Sequence, residues 1–230
     1  MEHNRSIVLD TETTGLDPKQ GHKIVEIGAI ELINRKATGQ TLHYYLQPDL
    51  IMDDDVIKIH GITNEFLVDK PRFADISDDF FAFINNAELI IHNANFDLKF
   101  ISHEFSQTNN PLRANIHDYC TVVDTLLLAR QKYPGQKNNL DALCRRLGVD
   151  NSKRTVHGAL LDAQLLTEVY LIMTGGQTTL NIDVSDVNLN SYTLNTKLAD
   201  TKHIPTKIIY ANDEELALHQ QMMHNIFNKK

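Results

Sequence analysis

Ile7-Val8-Leu9-Asp10-Thr11-Glu12-Thr13-Thr14-Gly15 is the stretch on which the reading of this chain turns. Ile7 to Leu9 is a short β-branched and apolar run of the kind that forms a buried strand. Asp10 and Glu12 stand two positions apart at its end. A strand repeats every two residues, so both carboxylates project from one face. Side by side they repel each other, and burying them uncompensated is expensive. A divalent cation relieves that repulsion, and hard carboxylate oxygens suit Mg²⁺ or Mn²⁺. Gly15 supplies a turn where backbone can approach a ligand closely. Alone, an acidic pair of this kind also fits a surface turn, and the decision falls to segments further along.

The second segment is His92-Asn93-Ala94-Asn95-Phe96-Asp97, which follows the apolar run Leu89-Ile90-Ile91. A strand therefore ends in a polar loop, and Phe96, Phe100 and Ile101 open an amphipathic helix. Asn95 is its expected N-cap, with Asp97 in the first turn, where the helix dipole alone also favours an anion. The third segment is Thr155-Val156-His157-Gly158-Ala159-Leu160-Leu161-Asp162-Ala163. Leu160, Ala163, Leu166, Val169, Tyr170 and Met173 form a helical apolar stripe in which an unpaired Asp162 would be costly. His157 lies five residues earlier, off the i, i+4 stack, on a loop beside the carboxylate. That placement suits a general base better than a rigid zinc pair, although most of the 11 histidines must be structural.

Asp10-x-Glu12, Asp97 and His157-x4-Asp162, in this order, resemble the DEDDh group of 3′–5′ exonucleases. The segments Leu9–Gly15, Gly21–Ala29, His60–Leu67 and Asn151–Thr155 are closer still to the epsilon proofreading subunits of bacterial DNA polymerase III. The resemblance runs to about residue 177 and continues more loosely to the end. It implies a ribonuclease H-like α/β fold, a mixed five-stranded sheet flanked by helices, with a flexible C-terminal tail. It also implies two Mg²⁺ or Mn²⁺ ions held by Asp10, Glu12 and Asp162, with Asp97 acting mainly through water and His157 as the base. The substrate contacts it implies are Asp10, Glu12, Asp162, Asp55 and His60; the last two also fit ordinary loop residues. Asp124 reads as structural support, His92 and Asn93 as residues that orient the Asp97 loop, and Arg130 as a surface helix residue.

The expected strands cover 6–9, 23–33 and 41–46, with a turn at 34–39. The helices cover 73–85, 96–105, 139–147 and 159–173, and further apolar runs lie at 89–91 and 122–126. Cys120 and Cys144 are too few for a disulfide framework or metal knuckle and read as reduced thiols. The sequence shows no apolar span of ~20 residues and no leader, so the expectation is a soluble, unexported, bacterial cytoplasmic protein with no membrane partner. A net charge of −8 argues against an autonomous grip on long duplex DNA, although Lys99, Lys137, Arg145, Arg146, Lys153 and Arg154 are candidates for a local basic groove.

The texture changes after Met173, and 1–176 reads as the exonuclease domain. Residues 177–203 read as a polar linker that opens with Gln177, Leu180 and Ile182 in a pattern similar to sliding-clamp-binding peptides. Residues 204–230 regain a strand-then-helix pattern, too small for a core of its own, and read as a segment docking on the polymerase alpha subunit. A small theta-like accessory subunit is a further partner that the resemblance admits. The expected function is thus a metal-dependent exonuclease acting on single-stranded or frayed DNA 3′ ends. Its rivals are a stand-alone enzyme trimming RNA or short oligonucleotides, and a non-catalytic scaffold bridging clamp and polymerase.

Overall fold

The computed structural model describes residues 5–152 and 154–175. Lys153, the clamp-like motif at Gln177, Leu180 and Ile182, and the expected linker and docking segment lie outside the described residues. A five-stranded sheet in the order β3-β2-β1-β4-β5 forms the centre, from β1 (Arg5–Thr13), β2 (Ile24–Ile33), β3 (Lys36–Tyr45), β4 (Glu88–Ile91) and β5 (Thr121–Asp124). The first three strands form an antiparallel meander, and β4 and β5 run parallel to β1. The helices are α1 (Asp54–His60), α2 (Asn64–Leu67), α3 (Phe73–Ile84), α4 (Ala94–Ser106), α5 (Thr125–Lys132), α6 (Leu140–Leu147) and α7 (Ala159–Thr174).

The two faces of the sheet carry separate cores, because alternate side chains of each strand point to opposite sides. On one, Ile7, Leu9, Leu89 and Ile91 meet Phe73 and Phe80 of α3 and Phe100 and Phe105 of α4. Phe80 and Phe105 stack with centroids 5.8 Å apart, and Phe73 meets Phe105 edge-on at 5.1 Å. On the other, Val8, Ile30 and Ile90 pack under Leu143 of α6 and Ala163, Leu166 and Val169 of α7. Each such side chain contributes about 1.5–3 kcal/mol by leaving water, more than an exposed ion pair supplies. Cys120 and Cys144 are buried free thiols. Among the described residues no helix is long and apolar enough to cross a membrane.

The structure corrects several of the expected boundaries. The β2–β3 turn comprises only Asn34 and Arg35, at φ 50° and 65°, and Ile33 pairs with Lys36. Such left-handed two-residue turns match the twist of the flanking strands. β3 thus begins at Lys36, ahead of the expected position 41; its first six residues are exposed, so no alternation marks them. Helix α1 was not expected, since His60 is its sole buried residue and no apolar stripe exists to read. The run 122–126 contains both the end of β5 and the start of α5.

β1 also continues past the expected end of its apolar run. Its recorded pairing with β4 stops at Val8–Ile90, whereas its pairing with β2 continues through Asp10–Gly28 and Glu12–Glu26. The acidic pair therefore stands within a strand that outruns its parallel neighbour. This opens a space at the carboxyl ends of the parallel strands, where open α/β sheets bind ligands.

Candidate active site

Three elements deliver acids to that space. β1 carries Asp10, partly open, and Glu12, buried. α7 carries the buried Asp162 in its first turn. α4 carries the buried Asp97 in its own first turn, where the Thr11 hydroxyl donates to Oδ1 at 2.7 Å. The expected Asn95 cap is not used. Helix α4 starts at Ala94, two residues ahead of the expected position 96, after a left-handed Asn93, and Asp124 accepts the backbone N–H groups of Asn93 (3.2 Å) and Ala94 (3.1 Å). Asp124 also caps α5 through the N–H groups of Leu126 and Leu127. One carboxylate thus ties down the starts of two helices, the structural support expected of it. His92 bonds Thr125 Oγ1 at 2.9 Å through Nδ1 beside it.

Helix α7 is held on β2 by two residues that the sequence reading passed over. The Ala159 N–H donates to Glu26 Oε2 at 3.0 Å, and Glu26 Oε1 meets His43 Nε2 at 2.8 Å. A Cβ on Gly28 would stand 2.2 Å from the Leu160 backbone nitrogen, so only glycine permits this contact. The available signal was an acid within the apolar strand Val25-Glu26-Ile27.

Asp162, whose burial calls for a compensating charge, has a side-chain partner. Arg154 Nε donates to its Oδ1 at 2.5 Å and Nη2 to its Oδ2 at 2.6 Å, a two-pronged ion pair. The guanidinium also reaches Asp141 Oδ1 (2.9 Å, through Nη1) and His157 Nδ1 (2.9 Å, through Nη2), and its side chain is 8% exposed. Arg154 is therefore part of the cleft wall and not a member of an open basic groove. Lys99 is paired with Asp17 at 2.8 Å, and Arg146 bonds Asn138 and the Lys137 carbonyl.

His157 stands on the loop ahead of α7, half exposed, with Nδ1 3.6 Å from Asp162 Oδ2. Its N–H donates to the Ile59 carbonyl at 3.0 Å, which hooks the loop onto α1. His60, in the same helix, is buried; Nδ1 accepts from the Ile62 N–H at 3.0 Å, and Nε2 has no hydrogen-bond partner among the described residues. Asp55 lies in the exposed first turn of α1, paired with Lys58, away from the cleft lining.

A cleft of about 280 Å³ opens over Asp10, Glu12, Asp141, Arg154, His157 and Asp162. Ligand atoms of Glu12, His157 and Asp162 all lie within 4.8 Å of one another, a spacing one metal ion can span. Asp97 stands behind this group, joined to β1 through Thr11. Burial, then Asp97, Glu12 and Asp162, push the Asp10 carboxyl well above the usual range. Burial, then Asp162 and Glu26, push Glu12 up to about 8. Burial pushes Asp97 up to about 7 against the opposing pull of the Thr11 hydroxyl. Carboxyl groups held where ionisation is costly, with the Arg154 guanidinium as the opposing charge near Asp10 and Glu12, fit a hard divalent cation.

Comparison with known proteins matches this architecture to its relatives. The exonuclease family RNase T matches residues 7–170. The chain is 59% identical to DNA polymerase III subunit epsilon of Haemophilus influenzae over 181 residues, covering 77% of this chain and 70% of the relative. It is 45% identical to that of Escherichia coli K12 over 232 residues, covering 98% and 94%. The chain belongs to the DNA polymerase III subunit epsilon family. It is an epsilon-family exonuclease, and exonucleases of this fold depend on divalent metal. Solved structures of lower identity share the fold. Exonuclease X in complex with 5′-overhanging duplex DNA has a TM-score of 0.58 at 23% identity, covering 74% of this chain and 90% of that one. The zinc-bound Escherichia coli exonuclease I complex with single-stranded DNA has a TM-score of 0.65 at 17% identity, covering 76% and 41%.

Proposed function

We propose that this epsilon-family chain removes nucleotides one at a time from DNA 3′ ends and proofreads for a replicative polymerase in the bacterial cytoplasm. The observation that carries this reading is the convergence of Glu12, His157 and Asp162 in the cleft that Asp10 also lines. Asp10, Glu12 and Asp162 would hold two divalent ions, Mg²⁺ or Mn²⁺, with Asp97 acting through water. When bound, these ions supply Lewis-acid polarisation of the phosphate and a more acidic water. His157, on its half-exposed loop, takes the proton from the attacking water. In this reading His60, whose buried Nε2 has no hydrogen-bond partner among the described residues, would contact the terminal nucleotide, and Asp55 would act from the outer end of the same helix. A mismatched terminus is already partly unpaired, so less energy is needed to bring it into the cleft.

Residues 1–176 would form the nuclease domain. In this reading Gln177, Leu180 and Ile182 dock on the sliding clamp, 204–230 on the polymerase alpha subunit, and a theta-like subunit is a further partner. The test is cleavage of 5′-labelled single-stranded DNA, with RNA in parallel, in Mg²⁺ or Mn²⁺ and in chelator. The expected result is a ladder of DNA products shortened from the 3′ end, lost in chelator and in Asp162→Asn. Release from the 5′ end, a preference for RNA, or full activity of the variant would overturn the reading.

A further inference from the structure

The Arg154 fork occupies both oxygens of Asp162, a carboxylate that the proposed site requires as a metal ligand. A cation held by Glu12 and Asp162 would lie where atoms of Glu12, His157 and Asp162 stand no more than 4.8 Å apart, and thus next to the guanidinium. Two positive groups so close in a partly buried cleft repel each other. Arg154 also bonds His157 Nδ1 at 2.9 Å. A guanidinium only donates, so Nδ1 is the acceptor; the neutral ring then carries its proton on Nε2 and has no lone pair open to water. The fourth contact differs. Asp141 is 43% exposed, is not part of the metal-ligand group, and offers the guanidinium a place to remain.

We propose that Arg154 is an exchangeable counter-ion: it neutralises Asp162 and engages His157 until a divalent cation takes Asp162, then withdraws onto Asp141 and frees the base. This inference rests on the proposed metal site. It makes Arg154 a built-in competitor of the metal and couples metal loading to the availability of the general base. A permanent brace for Asp162 would instead keep its contacts whether or not metal is bound.

The experiment compares wild type with Arg154→Gln and Asp162→Asn by thermal unfolding with and without Mn²⁺, and by Mn²⁺ calorimetry. Without added metal Arg154→Gln should melt below wild type, because Asp162 has lost its charge partner. At saturating Mn²⁺ that gap should close, and the variant should bind Mn²⁺ about tenfold or more tightly than wild type, since the competing charged hydrogen bonds are gone. In wild type, Mg²⁺ should change the imidazole nitrogen signals of His157 as Nδ1 is released. If Arg154→Gln is unfolded until Mn²⁺ is added, the exchange is supported; if Mn²⁺ fails to rescue it, Arg154 is a brace and the proposal falls. A gap unchanged by Mn²⁺, or equal affinity in both proteins, would also overturn it. Mn²⁺ binding that is indifferent to Asp162→Asn would instead sink the metal site itself, so the two failures remain distinct.

Discussion

Glu12 shows at the level of one side chain what this cleft costs the fold. Its carboxyl, ordinarily at 4.5, is held at about 8 by burial and the nearby Asp162 and Glu26. The folded chain therefore binds this proton more tightly than the unfolded chain. The resulting stability is complete below pH 4.5 and is lost as the pH rises through about 8. Asp97, raised to about 7, works in the same direction. We therefore expect the chelated protein to melt at progressively lower temperature from pH 5 to pH 8.5. Saturating Mg²⁺ should flatten or reverse that slope, because metal uptake favours the ionised ligands. A melting series at fixed ionic strength checks this, and a stability that climbs over this range in chelator would contradict it. His157→Ala should lower turnover by about 10²–10⁴-fold while DNA binding persists, the loss typical of a missing general base; single-turnover rates near neutral pH are the measurement. The acids were noticed in sequence because they end or interrupt apolar runs, and His157 by its place on a loop just ahead of Asp162. Arg154 was not: its importance comes from pairing with Asp162 and Asp141 across a loop without periodicity.

At the level of elements, the site depends on how α7 lands on β2. Gly28 admits the Leu160 backbone, and Glu26 accepts the first N–H of the helix. Gly28→Ala should force the helix outward, destabilise the protein by about 1–3 kcal/mol as overpacking does, and weaken metal binding by moving Asp162. Chemical unfolding and Mn²⁺ titration measure the two effects; unchanged metal affinity would separate the helix seat from the site. α3, α4, α6 and α7 were readable because each buries an apolar stripe against the sheet. The first half of β3 and all of α1 were not, since their exposed residues leave no periodic trace. The closing hook of the His157 loop is consequently a contact to an element that the pattern did not announce.

For the whole chain, the net charge of −8 and the polar composition after Met173 suit the proposed nuclease that partners hold in place. We expect the fragment 1–176 to remain folded and to degrade single-stranded DNA in Mg²⁺ while losing co-purification with the polymerase subunit. Gln177→Ala with Leu180→Ala in the full chain should weaken clamp binding alone, as measured with isolated proteins so that tethering does not mask the loss. Equal clamp affinity would remove the motif, and polymerase binding by the fragment would remove the docking segment. The acids of the site are borne by a central strand and two packed helices, whereas His157, the proposed base, rides on a loop joined to the backbone of α1 among the described residues by one bond, from His157 to Ile59. Warming should therefore disarm this enzyme in two stages. Cutting would fade while metal and strand end are still gripped, so a heat-stressed replication fork would meet a nuclease that stalls on the terminus before it lets go.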